Sequence, residues 1–202
     1  MSVQGGEGRV LAAARGRSPA IDHSTSAPDD RVALLYTSAA TGCSEGAMRS
    51  HLNLASNALA LVDRCAFTRG DVLLHALPLF HVHGLFVACH CALLSGSRML
   101  WLNRFDAAEV ARLLPHATVM MGVPTFYTRL LAQPEFTREA SRNIRLFVSG
   151  SAPLLPETFD AFRNPTGHTS PRAYGLTTSR SHTSRPAPAP RGPGPWAPPL
   201  PP

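Results

Sequence analysis

Lysine is absent from the 202 residues: all 19 basic side chains are arginines. A lysine ammonium for phosphate neutralisation, or a lysine amine for Schiff-base chemistry, is therefore closed to this polypeptide whatever its fold. Acidic residues are unevenly spread. None occurs after Asp160, so part of the formal charge of +6 belongs to the C-terminal stretch. The arginines are scattered rather than gathered with aromatics on one face, which argues against a nucleic-acid module. No stretch reaches the ~18 uninterrupted apolar residues of a membrane helix, and residues 1–17, with Gly5, Gly6, Glu7 and Gly8, lack the apolar run of an export signal. Nucleic acid and membrane are thus set aside as partners. Cysteine is sparse as well: Cys43, Cys65, Cys89 and Cys91 show neither paired CxxC spacing nor the density of a secreted disulfide scaffold. Free thiols in a reducing, cytoplasmic compartment are expected.

What is there is enough for one ordinary domain, since 44% of the residues are hydrophobic. Residues 1–28 are rich in Gly, Ala, Ser and Arg without a period and read as a loose leader. From Asp29 the pattern changes. Val32, Ala33, Leu34, Leu35 and Tyr36 form a short apolar strand, followed by a small-residue loop and a helix over 51–64 that Ser50 caps and Leu52, Ala55, Leu59 and Val62 stripe. Strands at 72–76, 98–102, 117–121 and 144–149 then alternate with helices at about 84–94, 106–114 and 124–132. This alternation predicts an α/β fold with an open, largely parallel sheet and ligand loops at the strand ends. The order fails near Asn164. Residues 179–202 form a Pro/Arg-rich tail, nine of whose residues are proline, and it is expected to be disordered or polyproline-like.

The strand at 32–36 leads into Tyr36-Thr37-Ser38-Ala39-Ala40-Thr41-Gly42-Cys43-Ser44-Glu45-Gly46. Backbone N–H groups and hydroxyls in such a loop can donate to a polyphosphate, and a following helix N-terminus adds favourable partial charge. By itself an ordinary polar turn reads as well. The stretch nevertheless resembles the phosphate loop of adenylate-forming acyl-CoA synthetases, Tyr-Thr-Ser-Gly-Thr-Thr-Gly-x-x-Lys-Gly, with Ala39, Ala40 and Glu45 at the departures. The resemblance continues through residues 77–85 (LPLFHVHGL), 121–131 (MGVPTFYTRLL), 149–154 (SGSAPL) and 174–177 (YGLT), in the family's order over 29–178. Three of these segments look like the malonyl-CoA synthetase branch.

That resemblance implies the N-terminal domain of an ATP- and Mg²⁺-dependent enzyme that joins malonate or a similar carboxylate to AMP and passes the acyl group to CoA. It sets Thr37, Ser38, Thr41, Gly42 and Gly46 against the phosphates. Ser151, Ala152, Pro153, Tyr174 and Gly175 would border the adenine, and Thr177 the α-phosphate. His81 and His83 would stand by the acyl pocket, and Arg129 would hold the distal carboxylate as a planar bidentate donor. Each has a plainer rival. Arg129 alone is a solvated helix charge, and the His and Cys residues of 81–91 lack structural-zinc spacing and read as pocket or core lining rather than a metal site.

The departures predict impaired chemistry. Glu45 puts an anion where the family has a cation, and Thr178 follows Thr177 where the family has a Mg²⁺-holding glutamate. No catalytic residue is read as intact, and the chain is expected to be a partial, truncated domain with little or no activity of its own. A second reading makes it an interaction protein whose tail, Ala197-Pro198-Pro199-Leu200-Pro201-Pro202, docks as polyproline in an aromatic-lined groove. A reading-frame change in a GC-rich gene would also yield such a tail.

Overall fold

The computed structural model describes residues 26–38, 44–152, 156–168, 173–175 and 181–184. At its centre lies a four-stranded parallel sheet of β3 (Val72–His75), β4 (Arg98–Trp101), β5 (Val119–Gly122) and β6 (Leu146–Ser149), in the order β4-β3-β5-β6. These strands are short apolar runs, and β3, β5 and β6 are buried throughout, as a parallel sheet covered on both faces requires. Period-two alternation divides their side chains between two cores. Leu74, Met120 and Phe147 pack with Val110, Tyr127, Leu130, Ile144 and Phe162 on one face. Leu73, Val119, Met121, Leu146 and Val148 pack with Leu61, Phe67, Val87 and Cys91 on the other. The result is a helix–sheet–helix sandwich, the α/β class expected from the alternation.

The helices supply those faces. α1 (His51–Arg64) starts where Ser50 and Asn53 form a reciprocal capping box: Asn53 N–H donates to Ser50 Oγ and Ser50 N–H to Asn53 Oδ1, both at 3.3 Å. α2 (His90–Ser95), α3 (Ala107–Leu113), capped by Asp106, α4 (Pro124–Leu131), with proline at its first position, and α5 (Pro156–Thr166) complete the layers.

Three expectations need correction. The loop after β1 (Arg31–Ser38) does not run into a helix: β2 (Ser44–Ser50) returns antiparallel, pairing Tyr36 with Gly46 and Leu34 with Met48. The helix N-terminus therefore lies at His51, beyond a whole strand, and its partial charge is not at the loop. The expected helix at 84–94 opens as a seven-residue π-helix (His83–Cys89) before α2 begins. α5 continues the fold past the point where the pattern fades, because Phe162 and Thr166 are buried although Pro165 obscures the helical signal. A hairpin of β7 (Ala173–Gly175) and β8 (Ser181–Ser184) follows, its second strand falling within the 179–202 tail. The remainder of that tail and the leader up to residue 25 lie outside the described residues.

Candidate functional site

Strand order locates the crevice. The chain leaves β3 toward β4 on one side and returns to β5 on the other, so connections diverge at the C-terminal ends of β3 and β5. In open α/β sheets ligands bind at this switch point. Three motif segments begin there: 77–85 follows β3, 121–131 spans the end of β5, and 149–154 spans the end of β6.

His83 is carried into this region by the π-helix. Its ring is buried, and Nδ1 lies 3.1 Å from Ser151 Oγ. Two features fix the ring's place. Gly84 cannot carry a side chain, because a Cβ there would meet the Pro78 carbonyl oxygen at 2.3 Å, and a Cβ on Gly150 would meet His83 Cε1 at 2.9 Å. Burial, with a smaller contribution from nearby His75, holds the imidazole down at about 4. At neutral pH His83 is thus an uncharged hydrogen-bonding group rather than a cation for a carboxylate. Ser151, exposed at the end of β6, holds a left-handed φ of +67°.

Around this pair the crevice floor is polar and incompletely satisfied. His83 Nε2, Ser149 Oγ and His75 Nδ1 are buried without hydrogen-bond partners, an arrangement that native interiors seldom keep without reason. His75, the last residue of β3, stacks on Trp101 at 4.5 Å, and its Nε2 lies 3.8 Å from Cys89 Sγ. Burial lowers the His75 pKa and raises that of Cys89, so neither a cation nor a thiolate is offered there. His75, Ser149 and Trp101 received no role from sequence. Nothing in the order of residues distinguishes the end of a buried strand from its middle.

The remaining candidates are dispersed. His81 is exposed, its ring 4.6 Å from that of Phe80. Arg129 is exposed on α4 with its guanidinium carbon 5.1 Å above the Phe105 ring, a cation–π contact. No described hydrogen bond or ion pair joins it to His81, His83 or Ser151. Thr37 and Ser38 end β1, Gly46 lies on β2 beneath Leu34 and Tyr36, and Tyr174 and Gly175 lie on β7. Ala152 is exposed beside Ser151. Thr41, Gly42, Pro153 and Thr177 lie outside the described residues. Among those described, no group of three His, Cys, Asp or Glu side chains converges as a metal site. No helix among them is long and apolar enough to cross a membrane.

A parallel sheet with polar loops gathered at one switch point defines the open α/β class whose ligands bind at the strand ends. The particular family follows from direct comparison: a model of the AMP-binding enzyme family matches residues 5–201, and the chain belongs to that family. It is 40% identical over 189 residues to the mouse (Mus musculus) mitochondrial malonate–CoA ligase ACSF3, covering 85% of this chain and 32% of that protein. Malonate–CoA ligase of Arabidopsis thaliana is 32% identical over 193 residues. Among solved structures, ATP-bound MatB from Rhodopseudomonas palustris superposes with a TM-score of 0.92 at 49% identity, covering 97% of this chain and 39% of that one. A malonyl-CoA ligase bound to methylmalonyl-CoA and AMP gives 0.85 at 36% identity, with 91% and 41% covered. The chain thus spans about a third of the length of these curated relatives.

Proposed function

We propose that the chain is the nucleotide- and acid-facing portion of an ATP-dependent acid–CoA ligase with malonate as the acid, and that these 202 residues do not complete the reaction unaided. The observation that carries the reading is the convergence of motif segments on the sheet's switch point, where His83 meets Ser151 at 3.1 Å, together with the likeness to malonate–CoA ligases. In this reading the overall reaction is malonate, ATP and CoA giving malonyl-CoA, AMP and pyrophosphate. Thr37, Ser38, Thr41, Gly42 and Gly46 receive the phosphates. Ser151, Ala152, Pro153, Tyr174 and Gly175 border the base, and Thr177 faces the α-phosphate. His81, His83 and Arg129 serve the acid. The buried free thiols of Cys89 and Cys91 suit a reducing compartment.

Adenylation builds negative charge on the oxygens of the α-phosphoryl group and the departing pyrophosphate, which enzymes offset with cations and preorganised donors. Glu45 offers the opposite sign, and no lysine exists in this polypeptide to oppose it. Pyrophosphate release with malonate, ATP and Mg²⁺ tests the claim. No release above a malonate-free blank is expected, and malonate-dependent turnover contradicts it.

A further inference from the structure

The features that fix His83 come from elements far apart in sequence. The π-helix carries the ring, and π-turns are rare and concentrated at functional sites. Gly84, pressed against the Pro78 carbonyl, sets where that helix starts. On the far side the backbone of Gly150 lies against the imidazole edge, and the exposed Ser151 hydroxyl reaches back to Nδ1. Ser151 keeps its φ of +67°, a backbone state that serine holds only where its surroundings enforce it. We propose that His83 is the positioning residue of the 149–152 turn, holding it through Gly150 and Ser151 in the shape that receives the adenine base. Base recognition then depends on the π-helix after β3, a segment whose motif points to the acid. The inference rests on the nucleotide-binding reading above and deepens it. The ring's uncharged state at neutral pH agrees with a hydrogen-bonding post rather than a counter-ion.

The test is calorimetric titration of the full chain with ATP and GTP, for the wild type, His83→Ala, His83→Asn and Ser151→Gly. Ser151→Gly removes the hydroxymethyl group at an exposed position whose φ glycine accepts, so its folding is not at risk if His83→Ala proves unstable. One hydrogen bond is worth about three- to tenfold in affinity. The ratio of ATP to GTP affinity should fall by about that factor in His83→Ala and Ser151→Gly, with recovery in His83→Asn, which keeps a polar atom where Nδ1 stood. An unchanged ratio in Ser151→Gly, or a wild type that does not distinguish the two bases, overturns the positioning role while leaving phosphate binding intact. A wild type that binds neither nucleotide overturns the nucleotide-binding reading as well.

Discussion

Asp71 is heavily committed among the described residues, and it sits at the N-terminal end of the sheet, opposite the crevice. It is 3% exposed, and its carboxylate accepts from Arg145 Nε and Nη2 and from Thr118 Oγ1, each at 2.7 Å, and from Thr68 N–H at 2.8 Å. Arg145 also donates to the Cys65 and Ala66 carbonyls at 2.9 and 2.8 Å, clamping the end of α1 to the starts of β3 and β6. Removing one partner of such a pair leaves a buried charge, at a cost of about 3–5 kcal/mol. Because Arg145 is 34% exposed, Arg145→Met should fall near the lower end of that range in urea unfolding, and a loss under about 1 kcal/mol contradicts the clamp. Burial pushes the Asp71 carboxyl up, but hydrogen bonds from Arg145, Thr118 and Thr68 and the Arg145 charge outweigh it and hold the group at about 2. Its folded pKa lies below the ordinary 3.8, so its stabilisation is complete above that value and is lost as pH falls toward 2. His83 acts earlier with the same sign. The unfolded chain takes up a proton near 6.5 that the fold refuses until about 4, so stability should decline across that window, with His75 and His90, also lowered by burial, adding to it. Unfolding midpoints measured from pH 7 to 3 should therefore fall in two stages, and His83→Asn should flatten part of the upper one. A wild-type profile level from 6.5 to 4 contradicts this.

At the scale of elements, the alternating strands and helices from 51 to 149 were legible because their apolar periods are long and their caps explicit, as at Ser50 and Pro124. β2 was not legible: Ser44, Glu45, Gly46 and Ala47 present no alternation, and what makes them a strand is the partner across the turn, with Leu34 and Tyr36 lying over Gly46. The π-helix was equally hidden, since a wider turn leaves no mark on an apolar run. Of the candidate site, the motif residues were readable, whereas the contact between His83 and Ser151 spans 68 positions and exists only through tertiary packing. The Asp71–Arg145 clamp has the same character, with 74 positions between its partners. One element-scale prediction follows from Gly84. Its missing side chain faces backbone at 2.3 Å, which cannot rotate away, so Gly84→Ala should cost about 3 kcal/mol or more, beyond the ~1–3 usual for overpacking. Normal folding and an undisturbed His83 ring signal by NMR in that variant contradict the fixed helix start.

The whole molecule carries apolar surface that a free monomer rarely keeps. Val32, Leu34 and Tyr36, on one face of the first hairpin, are 45%, 52% and 70% exposed, with Met48 beside Leu34 at 57%. β4 and β6 each have one side without a strand partner among the described residues. Faces and edges of this kind favour association. Light scattering on heating should show aggregation rather than a sharp reversible transition, and Val32→Thr with Leu34→Thr should reduce it without lowering the unfolding midpoint. Function at this scale turns on whether the segment that joins β1 to β2 faces phosphate. Calorimetric titration with ATP of wild type and of Glu45→Lys with Ala39→Gly tests that most directly. Reversing one charge beside phosphate is worth at least about 1 kcal/mol at ~4 Å even in water, so the double variant should bind at least about fivefold tighter and still release no pyrophosphate. Unchanged affinity in a folded double variant would contradict it.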